Sequence, residues 1–343
     1  MDNPYRQAPD HKFWSRAVSG RPGEAVQPVV NLGFSIGPED RIATAGSCFA
    51  QHISRTLQNE GYDFLITEPG EAARQYGVYP ARFGNIYTPR QLLQLFQRAY
   101  GLFTPREGEW MQGSAWVDPF RPQVEPGGFA SLEALQTDRD FHLAAVRTMF
   151  ETADVFIFTL GLTEAWISKE DGAVFPSAPG VAGAPAVADH IGPHNFTVAE
   201  VFEDLQAFAA LARTLNPGLR ILLTVSPVPL IATFTDQHVL TATTWSKAVL
   251  RAAAGMAAEA DPLIDYFPSY EIVTGAHNGH RFWADDLRSV TPEGVAVVMA
   301  EFKRAYLGGV VAAPGPNHAA PPDRRAEHEA LTEVICDEEA NEA

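Results

Sequence analysis

The stretch Arg-Ile-Ala-Thr-Ala-Gly-Ser-Cys-Phe-Ala-Gln-His-Ile-Ser at residues 41–54 carries the clearest fold signal in the chain. The apolar run before Gly46 predicts a short buried strand, and the residues after Cys48 predict a helix, with Ser47 and Cys48 in the turn between them. At such a turn a side chain lies at the carboxyl edge of a sheet, where the amides of the helix's first turn face whatever binds there. The turn is therefore a good place for a nucleophile and for an oxyanion.

The alternation of apolar runs with helical segments predicts the architecture. Strands are predicted at residues 41–46, 154–160, 220–225 and 263–266. Helices are predicted at residues 49–60, 89–100, 138–151, 197–215, 241–259 and 291–307. Because strands and helices alternate, we expect an α/β fold with a parallel sheet and helices on both of its faces.

The domain organisation follows from composition. Residues 1–40, rich in Pro, Gly and charge, are predicted to form an arm laid over one α/β domain at 41–309. Within that domain, residues 101–136 and 168–195 are predicted to be irregular loop insertions. Residues 310–343 are predicted to be an acidic, disordered tail that could bind a protein partner.

Charge and cysteine usage narrow the classes of protein. The 343-residue chain has a formal net charge of −17, which argues against a nucleic-acid partner because such binding needs Lys and Arg. Cys48 and Cys336 lie at opposite ends of the chain, so we expect no structural disulfide and a reducing compartment. The N-terminus has no basic segment followed by an apolar run, and the chain has no run of 18 apolar residues. We therefore predict a soluble, cytoplasmic protein without a membrane span.

Several segments resemble the GSCFA family, which is named after the motif found here at residues 46–50 and is grouped with the SGNH (GDSL-like) hydrolases. Segments at 83–87, 159–166, 226–229 and 266–271 are similar to that family and occur in the same order. The resemblance implies a flavodoxin-like, three-layer α/β/α sandwich around a parallel sheet. By distant kinship it also implies ester chemistry, although function transfers between relatives less securely than fold.

The same resemblance implies a nucleophile. SGNH enzymes have Gly-Asp-Ser at this turn, so alignment on Gly46 places Cys48 at the position of the catalytic serine. We therefore predict that Cys48 is the nucleophile, with Ser47 as the alternative. A helix N-terminus lowers the pKa of a thiol and so raises its thiolate fraction. The structural alternative is a buried cysteine that only packs as a small apolar residue.

The proton acceptor is harder to predict. SGNH enzymes carry a late Asp-x-x-His segment, and the matching residues here are Asp286 and Ser289, so serine stands where histidine is expected. His280 and His238 are the candidate replacements, with His277 less favoured. Asp286 would orient the histidine, or it caps a helix instead.

Oxyanion donors and substrate contacts are predicted from two further segments. Gly84 and Asn85 resemble the donors that acyl-transfer sites use, together with the amides of the turn. The SGNH Gly-x-Asn-Asp block corresponds to a segment that starts at Gly161, in which Thr163 replaces the usual Asn donor. Glu164 is a candidate general base or a ligand for a sugar hydroxyl, and the structural alternative is an acidic residue at a helix start.

These residues predict an acyl-ester hydrolase or acyltransferase that acts on a small hydroxylated substrate, such as a glycan. We predict no metal and no cofactor, since the sequence has no Cys-x-x-Cys pair, no Walker loop and no dinucleotide fingerprint. The alternative is a catalytically silent SGNH-like domain that binds a glycan or a protein partner, as the missing late histidine would permit.

Overall fold

The computed structural model describes residues 3–71, 74–181 and 189–308. Its strands are β1 (Ile42–Gly46), β2 (Trp110–Gln112), β3 (Ala115–Val117), β4 (Val155–Leu160), β5 (Glu164–Ser168), β6 (Val174–Phe175), β7 (Ile191–Asn195), β8 (Arg220–Val225) and β9 (Ile264–Phe267). Its helices are α1 (Trp14–Ala17), α2 (Ala50–Asn59), α3 (Pro89–Ala99), α4 (Leu132–Thr152), α5 (Val198–Leu215), α6 (Val239–Ala260), α7 (Ser269–Thr274) and α8 (Pro292–Tyr306). The predicted acidic tail at 310–343, with Cys336, lies outside the described residues.

The central sheet is parallel, with the strand order β1-β4-β8-β9. On the outer side of β1, a parallel bridge joins Ile42 to Phe64, and the Ile42 amide donates to the Asp63 carbonyl oxygen at 2.8 Å. Counting that bridge as the second strand along the chain, the spatial order is 2-1-3-4-5. The direction of strand addition therefore reverses between β1 and β4, and at such a reversal a crevice opens at the carboxyl ends of the strands.

Both faces of this sheet are covered, because successive side chains of a strand point to opposite faces. Phe156 and Phe158 of β4 pack in one apolar cluster, together with residues of α3, α4, α5 and α6. Val155 and Ile157 pack in a second cluster, together with residues of α2, α7 and α8. The predicted α/β architecture, a parallel sheet between two layers of helices, is confirmed.

The two predicted loop insertions contain regular structure, so the prediction of irregular chain there is wrong in part. Residues 101–136 include the antiparallel hairpin β2–β3 and the first turn of α4. Residues 168–195 include β6 and β7, which pair with β5 in a three-stranded antiparallel sheet. The strand β7 contains Gly192 and Pro193, two residues that disfavour strands, but it lies at the edge of its sheet, where proline needs no partner for a missing N–H.

The N-terminal segment crosses α8. The Ile36 amide donates to the carbonyl oxygen of Tyr306 at 2.8 Å, and the Val29 amide donates to the Glu301 carboxylate at 3.0 Å. Ile36 is buried in the second cluster. Within the described part of the chain, no helix is both long enough and apolar enough to cross a membrane.

Candidate functional site

The turn after β1 has the predicted strand–turn–helix form. Gly46 ends β1 with φ +146°, and a Cβ atom at this position would lie 2.4 Å from the carbonyl oxygen of Thr159 on β4. The helix α2 then starts at Ala50, whose amide donates to the Ser47 carbonyl oxygen at 2.9 Å. Ser47 and Cys48 therefore lie between strand and helix at the carboxyl edge of the sheet, beside the reversal of strand order.

Ser47 is held against the end of β4. Its amide donates to the Thr159 carbonyl oxygen at 3.2 Å, and a Cβ atom on Gly161 would come within 3.1 Å of the Ser47 Cβ. Ser47 is 3% exposed, and among the described residues its hydroxyl has no hydrogen-bond partner. Buried hydroxyls are nearly always paired, so an unpaired one calls for an explanation.

Cys48 is buried as well, with 5% of its surface exposed. Its neighbour Phe49 packs in the cluster of α2 and α8. The thiol thus lies just before the start of α2, in a largely covered position.

The loop at Gly84 and Asn85 is brought to the turn, as the prediction requires. The Ile86 amide donates to the Gly46 carbonyl oxygen at 2.9 Å. The Tyr79 hydroxyl lies 3.0 Å from the Ser47 carbonyl oxygen and 3.1 Å from the Asn85 Oδ1. Gly84 has φ +72° and faces open space, in a pocket that Asn85 also lines.

Gly161 is fixed from two sides. Its amide donates to the Tyr87 carbonyl oxygen at 2.9 Å, and its own carbonyl oxygen accepts a hydrogen bond from the Nζ of Lys247 at 2.5 Å. Lys247 lies on α6 and is 1% exposed. A positive charge therefore lies next to the residue that contacts Ser47, in surroundings where charges interact more strongly than in water.

Thr163 and Glu164 have structural partners. The Thr163 hydroxyl donates to the Asn195 Oδ1 at 2.6 Å, and its amide donates to the Ser246 Oγ at 3.0 Å. The Glu164 carboxylate accepts hydrogen bonds from the Thr233 hydroxyl at 2.6 Å and from the Phe234 amide at 3.1 Å. Glu164 begins a strand, so the alternative of a helix start is wrong.

The candidate histidines lie in turns. His238 is exposed and caps α6, its Nδ1 accepting a hydrogen bond from the Leu240 amide at 3.2 Å. His280 is exposed with φ +66°, and its amide donates to the Asn278 Oδ1 at 2.9 Å. His277 is half-buried, and burial lowers its pKa. Among the described residues, none of these imidazoles hydrogen-bonds the Ser47 hydroxyl.

Asp286 and Ser289 contact each other. The Ser289 hydroxyl donates to the exposed carboxylate at 2.6 Å, and the amides of Arg288 and Ser289 donate to its other oxygen. These hydrogen bonds, with that of the Ser289 hydroxyl the strongest cause, lower the pKa of Asp286. The cap of α8 is Thr291 rather than Asp286.

Sequence reasoning did not identify Tyr79, Ser246 and Lys247, which contact the site through their side chains. For Lys247 there is a signal, because it follows Ser246 on a helix face where Ala242, Val249 and Leu250 are buried. A lysine at a buried position is rare and usually has a specific role. Among the residues that the structure describes, no three His, Cys, Asp or Glu side chains come together as metal ligands.

A known family model covers most of the chain. The model of the GSCFA family matches residues 41–302, which include the turn, the loop at Gly84 and the segment from Gly161 to Glu164. No curated protein matches the sequence.

Proposed function

The chain belongs to the GSCFA family, and from this premise we propose that it is an SGNH-type acyl-ester hydrolase or acyltransferase that acts on a hydroxylated substrate such as a carbohydrate. The observation that carries the proposal is the Ser47 hydroxyl, which is buried next to a thiol at the carboxyl end of β1 and has no hydrogen-bond partner within the described part of the chain. The spatial strand order 2-1-3-4-5 supports the flavodoxin-like form of the fold, in which ligands bind where the order reverses.

The reaction would proceed through an acyl-enzyme. The Cys48 thiolate, or the Ser47 hydroxyl after loss of its proton, attacks the ester carbonyl carbon. The backbone amides at the turn and at Gly84, with the Asn85 side chain, hold the oxyanion. The bond to the alcohol oxygen then breaks, and the leaving oxygen takes a proton from water, or the proton lost by Ser47 where Ser47 attacks, so that the alcohol departs. Water or a second hydroxyl takes the acyl group from the enzyme.

The place of Cys48 just before α2 favours it over Ser47 as the nucleophile. A serine needs a base to remove its proton, whereas a helix N-terminus lowers the pKa of a thiol and so raises its thiolate fraction. Lys247 donates to the carbonyl oxygen of Gly161, the residue beside Ser47. The Ser47 hydroxyl then remains available to donate a hydrogen bond to the oxyanion.

A second candidate is a catalytically silent domain that binds a glycan or a protein. The observation in its favour is the direct hydrogen bond between Asp286 and Ser289. The resemblance places the acid and the histidine of the catalytic machinery at these two positions, and here the pair has no imidazole.

The deciding experiment uses the Cys336→Ala protein, in which Cys48 is the only remaining cysteine. An iodoacetamide probe is expected to label this protein, and 4-nitrophenyl acetate is expected to be hydrolysed. Adding Cys48→Ala should abolish the labelling and lower kcat/KM by roughly a thousandfold or more. Ser47→Ala should lower kcat/KM while labelling persists. If the Cys336→Ala protein is not labelled and does not hydrolyse the ester above the rate in buffer, the silent binding domain is the correct description; hydrolysis that persists in Cys48→Ala would instead identify Ser47 as the nucleophile.

A further inference from the structure

A cleft leads away from the Gly84 loop to Arg98 on α3. The cleft has one part at Gly84 and another at Arg98, and three residues line both parts: Asn85, Phe120 and Arg121. The Tyr79 hydroxyl connects Asn85 to the Ser47 backbone. The cleft therefore starts at the proposed oxyanion site and ends at two arginines.

Arg98 makes no ion pair within 4 Å in the described part of the chain. Its guanidinium stacks on the Phe120 ring at 3.7 Å, and among the described residues its buried Nη2 has no hydrogen-bond partner. Burial is the main reason why its pKa falls to about 10; attraction to the buried Asp118 opposes this fall, and repulsion from Arg121 and Arg139 adds to it. A buried guanidinium nitrogen without an acceptor is unfavourable, and a bound anion would supply one.

Arg121 is held rigidly beside it. Its side chain is 2% exposed and donates to Asp118 at 3.0 Å and to Asp138 at 2.8 Å. After these two ion pairs, its Nη1 still has no partner among the described residues. Arg82 also donates to Asp138, at 2.9 Å, so this part of the cleft wall is fixed by a network of ion pairs.

We propose that Arg98 and Arg121 form an anion subsite that binds a carboxylate or phosphate group of the substrate. The guanidinium plane of Arg98 matches the two oxygens of such a group, and charge-assisted hydrogen bonds of this kind are among the strongest in proteins. The inference rests on the proposed function, because it specifies that the acyl donor or acceptor is anionic.

The test is isothermal titration calorimetry at constant ionic strength, with sodium succinate and sodium phosphate as probes and uncharged succinamide as a control. We expect at least one anion to bind and succinamide not to bind. Arg98→Gln should weaken the binding of that anion at least about tenfold. Tighter binding of succinate would identify a carboxylate subsite, and tighter binding of phosphate a phosphate subsite.

The matched control is Arg106→Gln, because Arg106 lies on the surface with 70% of its side chain exposed. This variant is expected to bind as the wild type does. Arg98→Lys keeps the charge but loses the planar fork, so it should weaken binding by a smaller factor than Arg98→Gln. If neither anion binds, or if Arg98→Gln and Arg98→Lys, both shown to be folded by circular dichroism, bind as tightly as wild type, the subsite is overturned.

The same titration, set beside ester hydrolysis measured in the protein with Cys48 intact, separates this inference from the proposed function. Anion binding that depends on Arg98, without any turnover of esters, would support the subsite and contradict the enzymatic proposal. Turnover that depends on Cys48, with anion affinity unchanged by Arg98→Gln, would support the enzyme and overturn the subsite.

Discussion

Position 46 shows how much a single residue decides in this site. Gly46 is the last residue of β1, and its φ of +146° turns the chain so that Ser47 and Cys48 leave the sheet at its edge. A Cβ atom on Gly46 would lie 2.4 Å from the Thr159 carbonyl oxygen and 2.7 Å from the Thr159 Cβ, so a side chain has no room there. Without a glycine here, β1 and β4 could not pair to their ends.

We therefore predict that Gly46→Ala is strongly destabilising. Strain in a backbone conformation reserved for glycine and overlap with a buried neighbour together should lower the free energy of unfolding by about 3 kcal/mol or more. Urea denaturation followed by circular dichroism measures this quantity. Gly218→Ala is the matched control, since a Cβ there meets no atom within 4 Å. Equal stability of the two variants would show that the turn adapts to a side chain.

Single residues also show where sequence reasoning about the site ends. That Ser47 and Asn85 lie near each other could be predicted, because each belongs to a motif of the family and the resemblance places both motifs at one site. The partners of Thr163 and Glu164, Asn195 and Thr233, lie 32 and 69 residues further along the chain, and no local pattern predicts such pairs. The same holds for Arg98, because only the fold shows that Phe120 lies against it and that its buried Nη2 has no hydrogen-bond partner among the described residues.

At the level of elements, the strands of the parallel sheet were predictable, because a buried strand reads as a continuous apolar run. The strand β8 has the predicted bounds of Arg220 to Val225. The strands β5, β6 and β7 were missed because they are short, and β7 also contains Gly192 and Pro193. The start of α4 was placed six residues too late, although Ser131 caps it by accepting a hydrogen bond from the Ala134 amide at 3.1 Å.

The helix α5 was predicted from a capping box, which the structure contains. The Thr197 hydroxyl accepts a hydrogen bond from the Glu200 amide, and the Glu200 carboxylate accepts one from the Thr197 amide. We expect Thr197→Ala to lower the free energy of unfolding by about 1 kcal/mol, because the Glu200 amide loses its hydrogen-bond acceptor and the capping box is broken. Thr214→Ala, at an exposed position near the other end of α5, should change stability by no more than about 0.5 kcal/mol. Chemical denaturation of both variants checks the difference, and equal losses would contradict the role of the cap.

On the scale of the whole molecule, polar groups are buried on both sides of the sheet. His142 is completely buried on the α4 side and shares a hydrogen bond of 2.7 Å with Glu68, and His52 lies half-buried on α2 on the opposite side. Burial is the main cause that lowers the pKa of each histidine to about 4, with repulsion from Arg121 acting on His142 and repulsion from Arg55 acting on His52. Sequence composition reports ten histidines but cannot say which of them are kept from water.

These two histidines make stability depend on pH in a defined window. The unfolded chain binds protons at its histidines below the ordinary pKa of 6.5, whereas the folded protein does so only near 4. The contribution of these two histidines to the free energy of unfolding is therefore expected to be constant above pH 6.5 and to fall as the pH is lowered from 6.5 towards 4.

Urea midpoints measured at intervals between pH 6.5 and pH 4 test this expectation. In His52→Gln the decline should be shallower, because one of the two proton-binding differences is gone, and in His11→Gln, an exposed position, it should match wild type. If the His52→Gln and wild-type curves run parallel, His52 is not held neutral by the fold.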